Sequence, residues 1–579
     1  MRRPQSSQSE SSFVNICADS NKPAITCEPP KPLRRLSVCL INPRYTPTFW
    51  GFDFALPLMP GKKSYSNITG ALPALAALTP PHCDVKLLDE NVEPIDYEAL
   101  LHFDVIGLTG MIVQAARMRE ILLDLGKLPA VVVVGGAYVS VAEDWFAGLC
   151  DIRFIGEAEE TWPAFLTALA AGEQIAKRYE QAEKTDMRKV PAPRFDLLKP
   201  DRYQLAPLQF SRGCPFQCEF CDIITVFGRR PRVKTVEQMI KEFEAVHQAG
   251  FQSCFLADDN FIGNKKQAKI LLRALIEWQQ ARGYPLQFYT EASVNLADDP
   301  ELIDLMAGAN FRQVFIGVES PRGESLAETR KFQNIRGDSL EAKIQRIRDG
   351  GIVVIAGFIV GFDHDDGAIF DEQFDFIQRT GIAQAAVGLL TPIPTTPLYD
   401  RLKAEGRLDF GDPDVLFHPR LMSRETLKRG YEKLLRRLYE PEAYFDRLFR
   451  GYRGSPAFRR RRAIMDAAVL PQQTVASKLV RTAGGLTQAF RLALTLARAR
   501  LLRRLGGAYL EVWFRENLPL GRDALPFCMF VHLCVIHWHF YNVIRLPKKN
   551  GFGAVSAKEA AASAQASLPA VCASSSLPN

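Results

Sequence analysis

Residues 208–221 read Leu-Gln-Phe-Ser-Arg-Gly-Cys-Pro-Phe-Gln-Cys-Glu-Phe-Cys, so three cysteines closely follow a short apolar stretch. The cysteines are Cys214, Cys218 and Cys221. Three thiolates at this spacing can hold three irons of a four-iron, four-sulfur cluster and leave the fourth iron without a protein ligand. A structural zinc site is the alternative, but it needs four Cys or His ligands, and the nearest further candidates are His247 and Cys254. Because those two fall in a predicted helix and a predicted strand, the motif favours a cluster with an open iron.

The cysteines open a series of alternating strands and helices that extends over residues 206–410. The apolar runs predict strands at Leu208–Ser211, Ser253–Ala257, Leu286–Thr290, Gln313–Gly317, Val353–Val360 and Ala385–Leu390. Helices are predicted between them at about 236–249, 265–282, 300–308, 339–349 and 367–380. Thr235 and Gln238 have the spacing of a capping box, which marks the start of the first of these helices. Six such repeats predict an incomplete TIM-type barrel that is open on one side.

Polar or glycine-containing segments follow the predicted strands of this barrel. The residues that we single out there are Asp258, Asp259, Asn260, Glu291, Ser293, Glu319 and Gly361. Because the carboxyl ends of barrel strands carry the active site, these residues are expected to converge above the three cysteines. A single carboxylate of this kind is about as often a loop residue or a helix cap. It is their repetition at successive strand ends that indicates a common site.

Residues 35–175 show an earlier alternation of apolar runs and helix-like segments. Strands are predicted at 36–42, 85–89, 104–110, 131–136 and 152–156. Wholly apolar strands separated by helices indicate a parallel sheet that is covered on both faces. Ligands of such sheets bind at the strand ends, where the small residues are Thr109, Gly110, Gly135 and Gly136. The sequence lacks G-x-G-x-x-G, which disfavours a dinucleotide, and a sheet without a ligand is the alternative.

The remaining segments are assigned by composition. Residues 1–34 and 551–579 are predicted to be a disordered leader and a disordered tail, and 176–205 a linker between the two α/β regions. Residues 411–550 lose the strand rhythm and predict a helical domain. The N-terminus lacks the apolar core of a secretory signal, and only one group among the twelve cysteines has ligand spacing. Both features favour a cytoplasmic protein.

The net charge of +7 is distributed unevenly along the chain. Residues 444–504 contain fourteen Lys and Arg but only two acidic residues. A solvated helix face is one interpretation, and attraction to an anionic membrane leaflet is the other. No aromatic residues are interleaved in a nucleic-acid pattern, so no nucleic-acid partner is predicted.

Residues 525–546 are almost continuously apolar and about long enough to span a bilayer. Pro526, three histidines, Asn542 and Arg545 disfavour a true span. A buried helix and a helix that lies on a membrane surface are the other two alternatives.

The cysteine motif and the ordered strand ends resemble those of radical S-adenosylmethionine enzymes. The preceding sheet is similar to the cobalamin-binding domain of one large subclass, and the resemblance covers about residues 36–410. Three further segments are similar to the branch that contains the hopanoid C-2 methylase: Arg229-Arg-Pro-Arg, the run from Asp258 to Lys266, and Thr290-Glu-Ala-Ser. The helical C-terminal extension is similar to that branch as well.

The resemblance implies an α/β fold with an N-terminal Rossmann-like cobalamin-binding domain, a central partial (β/α)6 barrel and a helical C-terminal region. It implies that the three cysteines ligate the 4Fe-4S cluster. Contacts to S-adenosyl-L-methionine are implied for Asp258, Asp259 and Asn260 (methionyl amine), Glu291 and Ser293 (ribose or carboxylate), Glu319 (ribose) and the backbone around Gly361 (adenine). The residues implied to line cobalamin are Thr109, Gly110, Gly135 and Gly136.

The loop after the first strand departs from the cobalamin-dependent methyltransferases and mutases that place a histidine on cobalt. Those proteins carry Asp-x-His-x-x-Gly at this point, whereas residues 42–47 read Asn-Pro-Arg-Tyr-Thr-Pro. The resemblance therefore implies cobalamin without a histidine ligand and leaves the lower face of cobalt unassigned.

The implied activity is the methylation of an unactivated carbon, and the branch implies C-2 of a hopanoid lipid. The same chemistry on a tetrapyrrole, a natural product or another lipid is the alternative, and a non-catalytic cobalamin or iron–sulfur sensor is a further one. An electron donor such as ferredoxin or flavodoxin is implied as a partner. A lipid substrate would bring the chain to the inner membrane surface, where peripheral contact is expected.

Overall fold

The computed structural model describes residues 33–453, 455–469, 475–517 and 525–546. Most of the predicted leader, the whole predicted tail and residues 547–550 lie outside the described residues. The strands are β1 Leu36–Asn42, β2 Tyr65–Asn67, β3 Cys83–Asp89, β4 Val105–Thr109, β5 Val131–Gly135, β6 Ile152–Ile155, β7 Arg178–Glu180, β8 Tyr203–Leu208, β9 Ser211–Arg212, β10 Arg232–Val233, β11 Ser253–Leu256, β12 Gln287–Ala292, β13 Phe311–Glu319, β14 Val353–Val360 and β15 Ala385–Leu389.

The α-helices lie between and after these strands. They are α1 Ala71–Leu78, α2 Tyr97–Leu100, α3 Ala115–Leu125, α4 Ala137–Val141, α5 Thr161–Ala171, α6 Ile223–Val226, α7 Val236–Gln248, α8 Lys265–Ala281, α9 Pro300–Gly308, α10 Gly323–Glu328, α11 Phe332–Ile335, α12 Leu340–Asp349, α13 Ile369–Thr380, α14 Pro397–Ala404, α15 Arg424–Leu438, α16 Pro441–Arg453, α17 Pro456–Val469, α18 Val475–Arg498, α19 Gly507–Asn517 and α20 Phe527–Val543. The capping box predicted for α7 is present, because the Thr235 hydroxyl accepts from the Gln238 N–H at 3.2 Å and the Gln238 side chain accepts from the Thr235 N–H at 2.8 Å.

The first sheet is parallel and runs in the order β3-β1-β4-β5-β6-β7. Val132, Val133 and Val134 of β5 are all buried, which explains why this strand is continuously apolar. From β1 the chain crosses to β3 on one side and then to β4 on the other. The carboxyl ends of β1 and β4 therefore form a topological switch point, the usual place of a ligand in an open α/β sheet.

The second sheet is also parallel and runs in the order β15-β14-β13-β12-β11-β8-β2. Its strands alternate with helices and form a half-barrel, so the predicted α/β fold class is confirmed. Val314, Ile316 and Val318 on β13 are fully buried toward the helices. The residues between them, including Phe315 and Gly317, consequently face the inner side of the half-barrel, which we call the lumen.

Two strands, β2 and β7, lie where the sequence pattern does not predict them. β2 follows β1 in the chain but pairs with β8 at the edge of the barrel sheet. β7 lies within the expected linker, 176–205, and pairs with β6 in the first sheet. The first barrel strand runs over Tyr203–Leu208 rather than over the predicted Leu208–Ser211. Pro207 within it lacks an N–H for the strand ladder, which is why this segment did not read as a strand.

The C-terminal region is helical, as predicted. The apolar segment 525–546 forms α20, whose Cys534, Val535 and Phe540 are buried, so it is mainly a core helix. His537 lies between the Tyr509 hydroxyl (2.7 Å) and the Tyr439 carbonyl (3.1 Å), and burial lowers its pKa to about 3. None of the helices in the described part of the chain combines the length and the apolar character needed to cross a membrane.

Candidate active site

The first of the three cysteines is placed by a turn that only glycine fits. Gly213 has φ +94°, and a Cβ there would lie 2.9 Å from the carbonyl oxygens of both Gly228 and Arg230. The next residue, Cys214, donates its N–H to the Gly228 carbonyl at 3.2 Å. The short hairpin of β9 and β10 thus fixes the start of the cysteine loop directly after β8.

Each of two cysteine sulfurs has an amide donor. The Asn260 side chain lies 3.9 Å from the Cys214 sulfur, and the Gln333 side chain lies 3.6 Å from the Cys218 sulfur. Burial, with smaller contributions from Asp222, Cys218 and Cys214, raises the pKa of the Cys221 thiol to about 12. A bound metal would be needed to hold these buried groups as thiolates.

The arrangement fits a cluster better than a single metal ion. No three His, Cys, Asp or Glu side chains among the described residues could hold one metal ion together. In a four-iron cluster each thiolate binds a different iron, so the sulfurs need not converge on one point. Amide donors to the sulfurs are also a means by which proteins tune such clusters.

Asp258 and Asp259 hold the cysteine loop in place. The Asp258 carboxylate accepts from the Phe210 N–H (2.8 Å), the Ser211 N–H (2.8 Å) and the Ser211 hydroxyl (2.6 Å). Asp259 accepts from the Gly213 N–H at 2.6 Å. Both carboxylates at the end of β11 are therefore engaged with the chain that leads into Cys214.

Asn260 and Glu291 lie at the same edge but differ from Asp258 and Asp259 in their hydrogen bonds. The Asn260 side chain donates to the Ser293 hydroxyl at 3.0 Å, which links the ends of β11 and β12. No described residue donates a hydrogen bond to the Glu291 carboxyl group. Burial raises the pKa of Asp258 to about 7, of Asp259 to about 6 and of Glu291 to about 7, and a neighbouring carboxylate contributes to the rise in each case. Of these three carboxyl groups, only Glu291 has no hydrogen-bond donor among the described residues.

Glu319 and Gly361 are partly committed to other contacts. Glu319 accepts from the buried Lys331 ammonium group. The Gly361 N–H donates to the Asp365 carboxylate at 2.9 Å, and a Cβ at this position would lie 3.1 Å from a methyl group of Leu427. The structure therefore joins Glu319 to Lys331, on whose charge Cys218 and Cys221 act, and places Gly361 at the end of β14 against α15.

The small residues of the first sheet meet at its carboxyl edge. Gly136 has φ +104°, and a Cβ there would overlap the hydroxyl of Thr109. Gly135 packs on Phe154, since a Cβ on this glycine would lie 3.2 Å from the Cβ of Phe154. Gly110 packs on Met118. These contacts keep the ends of β4 and β5 close together and leave Gly135 and Gly136 partly exposed. The edge fits a large ligand that approaches the backbone, as cobalamin would.

An ion network joins this edge to the cysteine loop. Glu157, directly after β6, accepts from Arg212 at 2.9 Å and from Arg232 at 3.0 Å. Arg212 also pairs with Glu159 at 2.6 Å. Because Arg212 and Arg232 belong to the β9–β10 hairpin, the network holds the carboxyl edges of the two sheets next to each other.

Comparison with known proteins agrees with this architecture. The Radical SAM superfamily model matches residues 208–377, and a domain of unknown function, DUF4070, matches 396–550. An uncharacterized methyltransferase of Synechocystis sp. is 39% identical over 71% of this chain and 77% of its own length. The hopanoid C-2 methylase of Rhodopseudomonas palustris is 33% identical over 71% of this chain and 78% of its own length. The chain belongs to the radical SAM methyltransferases.

Solved structures show the same fold at low sequence identity. The radical S-adenosylmethionine methyltransferase TsrM from Kitasatospora setae, solved with cobalamin and a 4Fe-4S cluster, has a TM-score of 0.51 at 18% identity and covers 64% of this chain and 75% of its own. The cobalamin-dependent enzyme OxsB, solved with aqua-cobalamin and S-adenosylmethionine, has a TM-score of 0.56 at 16% identity and covers 87% of this chain and 83% of its own.

Two residues of this radical SAM methyltransferase site were missed by sequence reasoning. Lys331 is buried with its ammonium group 5.7 Å from the centre of the Phe220 ring. Burial alone would lower the pKa of Lys331, but Glu319, Cys218 and Cys221 outweigh it, and the pKa is raised. Lys331 and Gln333 lie between β13 and α12, in a segment with no strand-end signature, so only the fold brings them to the cysteines.

Proposed function

We propose that the chain is a cobalamin-dependent radical SAM methyltransferase whose substrate is a hopanoid lipid, methylated at C-2. The observation that carries the substrate is the 33% identity to the hopanoid C-2 methylase over most of that protein. The bacteriochlorophyllide d C-8(2)-methyltransferase of Chlorobaculum tepidum, at 25% identity, keeps a tetrapyrrole as the second candidate. A non-catalytic sensor would not need polar side chains at successive strand ends of the barrel.

The proposed division of labour follows the two sheets. Residues 35–175 would carry cobalamin, 206–410 the cluster and S-adenosyl-L-methionine, and 411–550 would close the barrel. The stretch 176–205 would connect the two sheets. Cys214, Cys218 and Cys221 would ligate the cluster.

The proposed contacts of S-adenosyl-L-methionine stay as the resemblance implies them. They are Asp258, Asp259 and Asn260 for the amine, Glu291 and Ser293 for the ribose or carboxylate, Glu319 for the ribose, and Gly361 for the adenine. Within the amine group, the Asn260 side chain lies 3.9 Å from the Cys214 sulfur. Thr109, Gly110, Gly135 and Gly136 would line cobalamin.

A radical route is needed because an unactivated sp3 carbon has neither a lone pair nor an acidic C–H. When bound, the cluster with S-adenosyl-L-methionine would supply the radical and cobalamin the methyl group, while an electron donor such as ferredoxin or flavodoxin would supply the electron. The chain's own residues would bind, orient and enclose these cofactors and the substrate. Lys331 balances negative charge at the cysteines, and Asp258 and Asp259 keep the loop rigid.

The substrate is tested by deleting the gene and profiling the lipids. We expect 2-methylhopanoids to disappear and to return with the wild-type gene, but not with Cys218→Ala. An unchanged lipid profile would reject the hopanoid. An altered tetrapyrrole profile in the same cells would favour the second candidate.

We also propose that α18, α19 and the start of α20 contact an anionic membrane. Leu486, Phe490 and Leu494 of α18 are four residues apart and exposed, with Phe490 at 69%. Leu510 and Phe514 of α19 are exposed as well. We assign these exposed apolar residues together to the proposed contact face.

The surroundings of this face support a lipid as its occupant. Its two further exposed members, Phe527 and Met529, begin α20, and Phe527 lies 5.4 Å from Trp513 of α19 between ring centres. Exposed arginines, Arg491 and Arg498 among them, flank the face along α18. Apolar side chains beside a row of cations match an anionic bilayer interface.

Vesicle sedimentation of the full chain tests this contact. We expect binding to phosphatidylglycerol-containing vesicles that weakens with salt, and a loss of about tenfold in Phe490→Ser, since about 1.5–3 kcal/mol accompanies burial of such a side chain. Leu123→Ser on α3 is the matched control, because Leu123 is also exposed, at 53%. Equal binding by both variants would exclude the α18 face.

A further inference from the structure

The lumen of the half-barrel is lined by apolar and small residues next to one carboxyl group. Phe315 of β13 is in register with Glu291 of β12 and with Ile355 of β14. Residues in register on parallel strands share a face, so all three side chains point into the lumen. Gly317 and Gly357 are likewise in register on that face, and the Phe315 ring packs directly over Gly357, where a Cβ would lie 2.7 Å from it.

Trp50 contacts Phe315 from the segment that connects the first sheet to β2. It belongs to the segment after β1, and its ring lies nearly perpendicular to that of Phe315 with 5.4 Å between the ring centres. The neighbouring Phe49 stacks on Phe540 of α20 at 4.4 Å, which anchors the segment. Trp50 is thus held against Phe315 by a segment that α20 anchors.

Trp50 is far more exposed than the four tryptophans that are packed in the core. Trp145, Trp162, Trp278 and Trp538 are at most 5% exposed, whereas Trp50 is 44% exposed. A large aromatic ring that is held by neighbours yet left uncovered is typical of a contact surface for a ligand.

This surface adjoins the cysteines. Glu291, beside Phe315, is close enough to Asp258 and Asp259 for their charges to act on it. A Cβ on Gly317 would approach both Glu319 and Lys331. A molecule resting on Phe315 would consequently lie next to Glu291 and near Lys331, whose charge acts on Cys218 and Cys221.

We propose that Trp50, Phe315 and Ile355 form the substrate-binding subsite, and that it takes a rigid polycyclic hydrocarbon skeleton. The inference rests on the proposed radical methyltransferase function. Two aromatic rings and an aliphatic wall favour apolar surface, whereas a polar chain would leave its groups unpaired there. A fused-ring skeleton loses little conformational entropy on binding and presents flat faces to the two rings.

The test measures binding of a tritium-labelled pentacyclic hopanoid hydrocarbon, delivered in detergent micelles, to the reconstituted full chain. A chlorophyllide serves as a second probe. We expect Trp50→Ala to weaken hopanoid binding tenfold or more and Trp50→Phe to stay within about threefold of wild type, because a large buried aromatic contact is lost only in the first. Leu123→Ala is the matched control for an exposed apolar residue and should bind as wild type.

Each outcome decides the subsite separately from the substrate. Hopanoid binding that Trp50→Ala leaves unchanged would overturn the subsite and leave the hopanoid substrate standing. Chlorophyllide binding alone, lost in Trp50→Ala, would support the subsite and reject the hopanoid. If wild type binds neither probe, the subsite is overturned. Should Trp50→Ala fail to fold by circular dichroism, Phe315→Leu takes its place, and unchanged binding there would overturn the subsite equally.

Discussion

At the carboxyl edge of the barrel sheet, polar side chains are bound to one another and to the cysteine loop, whereas the carboxyl edge of the first sheet is shaped by small residues in van der Waals contact. Asp258 accepts three hydrogen bonds from the chain that leads to Cys214. At the other edge, Gly136 lies against Thr109 with no room for a Cβ. Substitutions at the barrel edge are therefore expected to act by removing polar groups, whereas substitutions at the edge of the first sheet are expected to act by adding side-chain volume.

The largest effect is expected from the loss of a cluster ligand at the barrel edge. Cys218→Ala should abolish the iron–sulfur absorbance and reduce 5′-deoxyadenosine formation at least a hundredfold, because two thiolates cannot hold the cluster. Iron analysis and single-turnover assays measure both. Cys254→Ala is the matched control, since Cys254 is fully buried in β11 and outside the motif. Cluster retention in Cys218→Ala would contradict the ligand assignment.

A smaller effect is expected at the carboxyl edge of the first sheet, where an added methyl group has no room. Gly136→Ala should destabilise the chain by about 1–3 kcal/mol, because φ is +104° there, and should also reduce cobalamin content by displacing Thr109. Thermal unfolding and the cobalamin absorbance measure the two effects, and the iron content should not change.

Gly148→Ala is the control that separates backbone strain from the steric contact with Thr109. Gly148 also has positive φ, at +76°, but a Cβ there would meet nothing within 4 Å. It should lose stability and keep cobalamin. Equal cobalamin loss in both variants would mean that strain alone, and not the contact with Thr109, is responsible.

The last effect appears over only part of the pH range and concerns the charge of Glu291 in the apoprotein. Its pKa is raised to about 7 by burial, so between about pH 4.5 and pH 7 the unfolded chain ionises while the folded chain keeps the proton. The wild-type free energy of unfolding therefore falls as pH rises through this window. Glu291→Gln should remove this fall and be more stable by about 2–3 kcal/mol at pH 8, with almost no difference at pH 4.5.

Denaturant unfolding across that pH range checks the sign. Glu277→Gln, on the exposed side of α8, is the matched control and should show no such pH-dependent gain. A gain that is equal at pH 4.5 and pH 8 would show that Glu291 is not held in its protonated form by the fold.

Much of the fold was predictable because it is local. The apolar run at 36–42 coincides with β1 and that at 353–360 with β14, since a buried parallel strand needs continuous apolar residues. The capping box of α7 depends on residues three apart. For α20, by contrast, an apolar sequence on all sides could not distinguish core from membrane, and only its packing decides.

The parts of the site that could not be predicted depend on distant partners. Lys331 meets Glu319 and the cysteines only once β13 and the barrel have formed. Trp50 meets Phe315 across more than one domain's length of chain, and neither residue has a motif of its own. Residue spacing carries no information about such pairs, because the contact is set by how the two sheets are placed.

The pairing of β2 with β8 has a consequence for synthesis on the ribosome. Ser64 and Arg202, which hydrogen-bond at the base of this pair, are 138 residues apart. At 5–20 residues per second, β2 leaves the ribosome roughly 7–28 s before its partner strand exists. During that interval β3 to β7 of the first sheet are synthesised, so a strand destined for the barrel precedes most of the first sheet. A fragment that begins at the cysteine barrel would lack this edge strand, so excision of the catalytic half should retain residues 60–70.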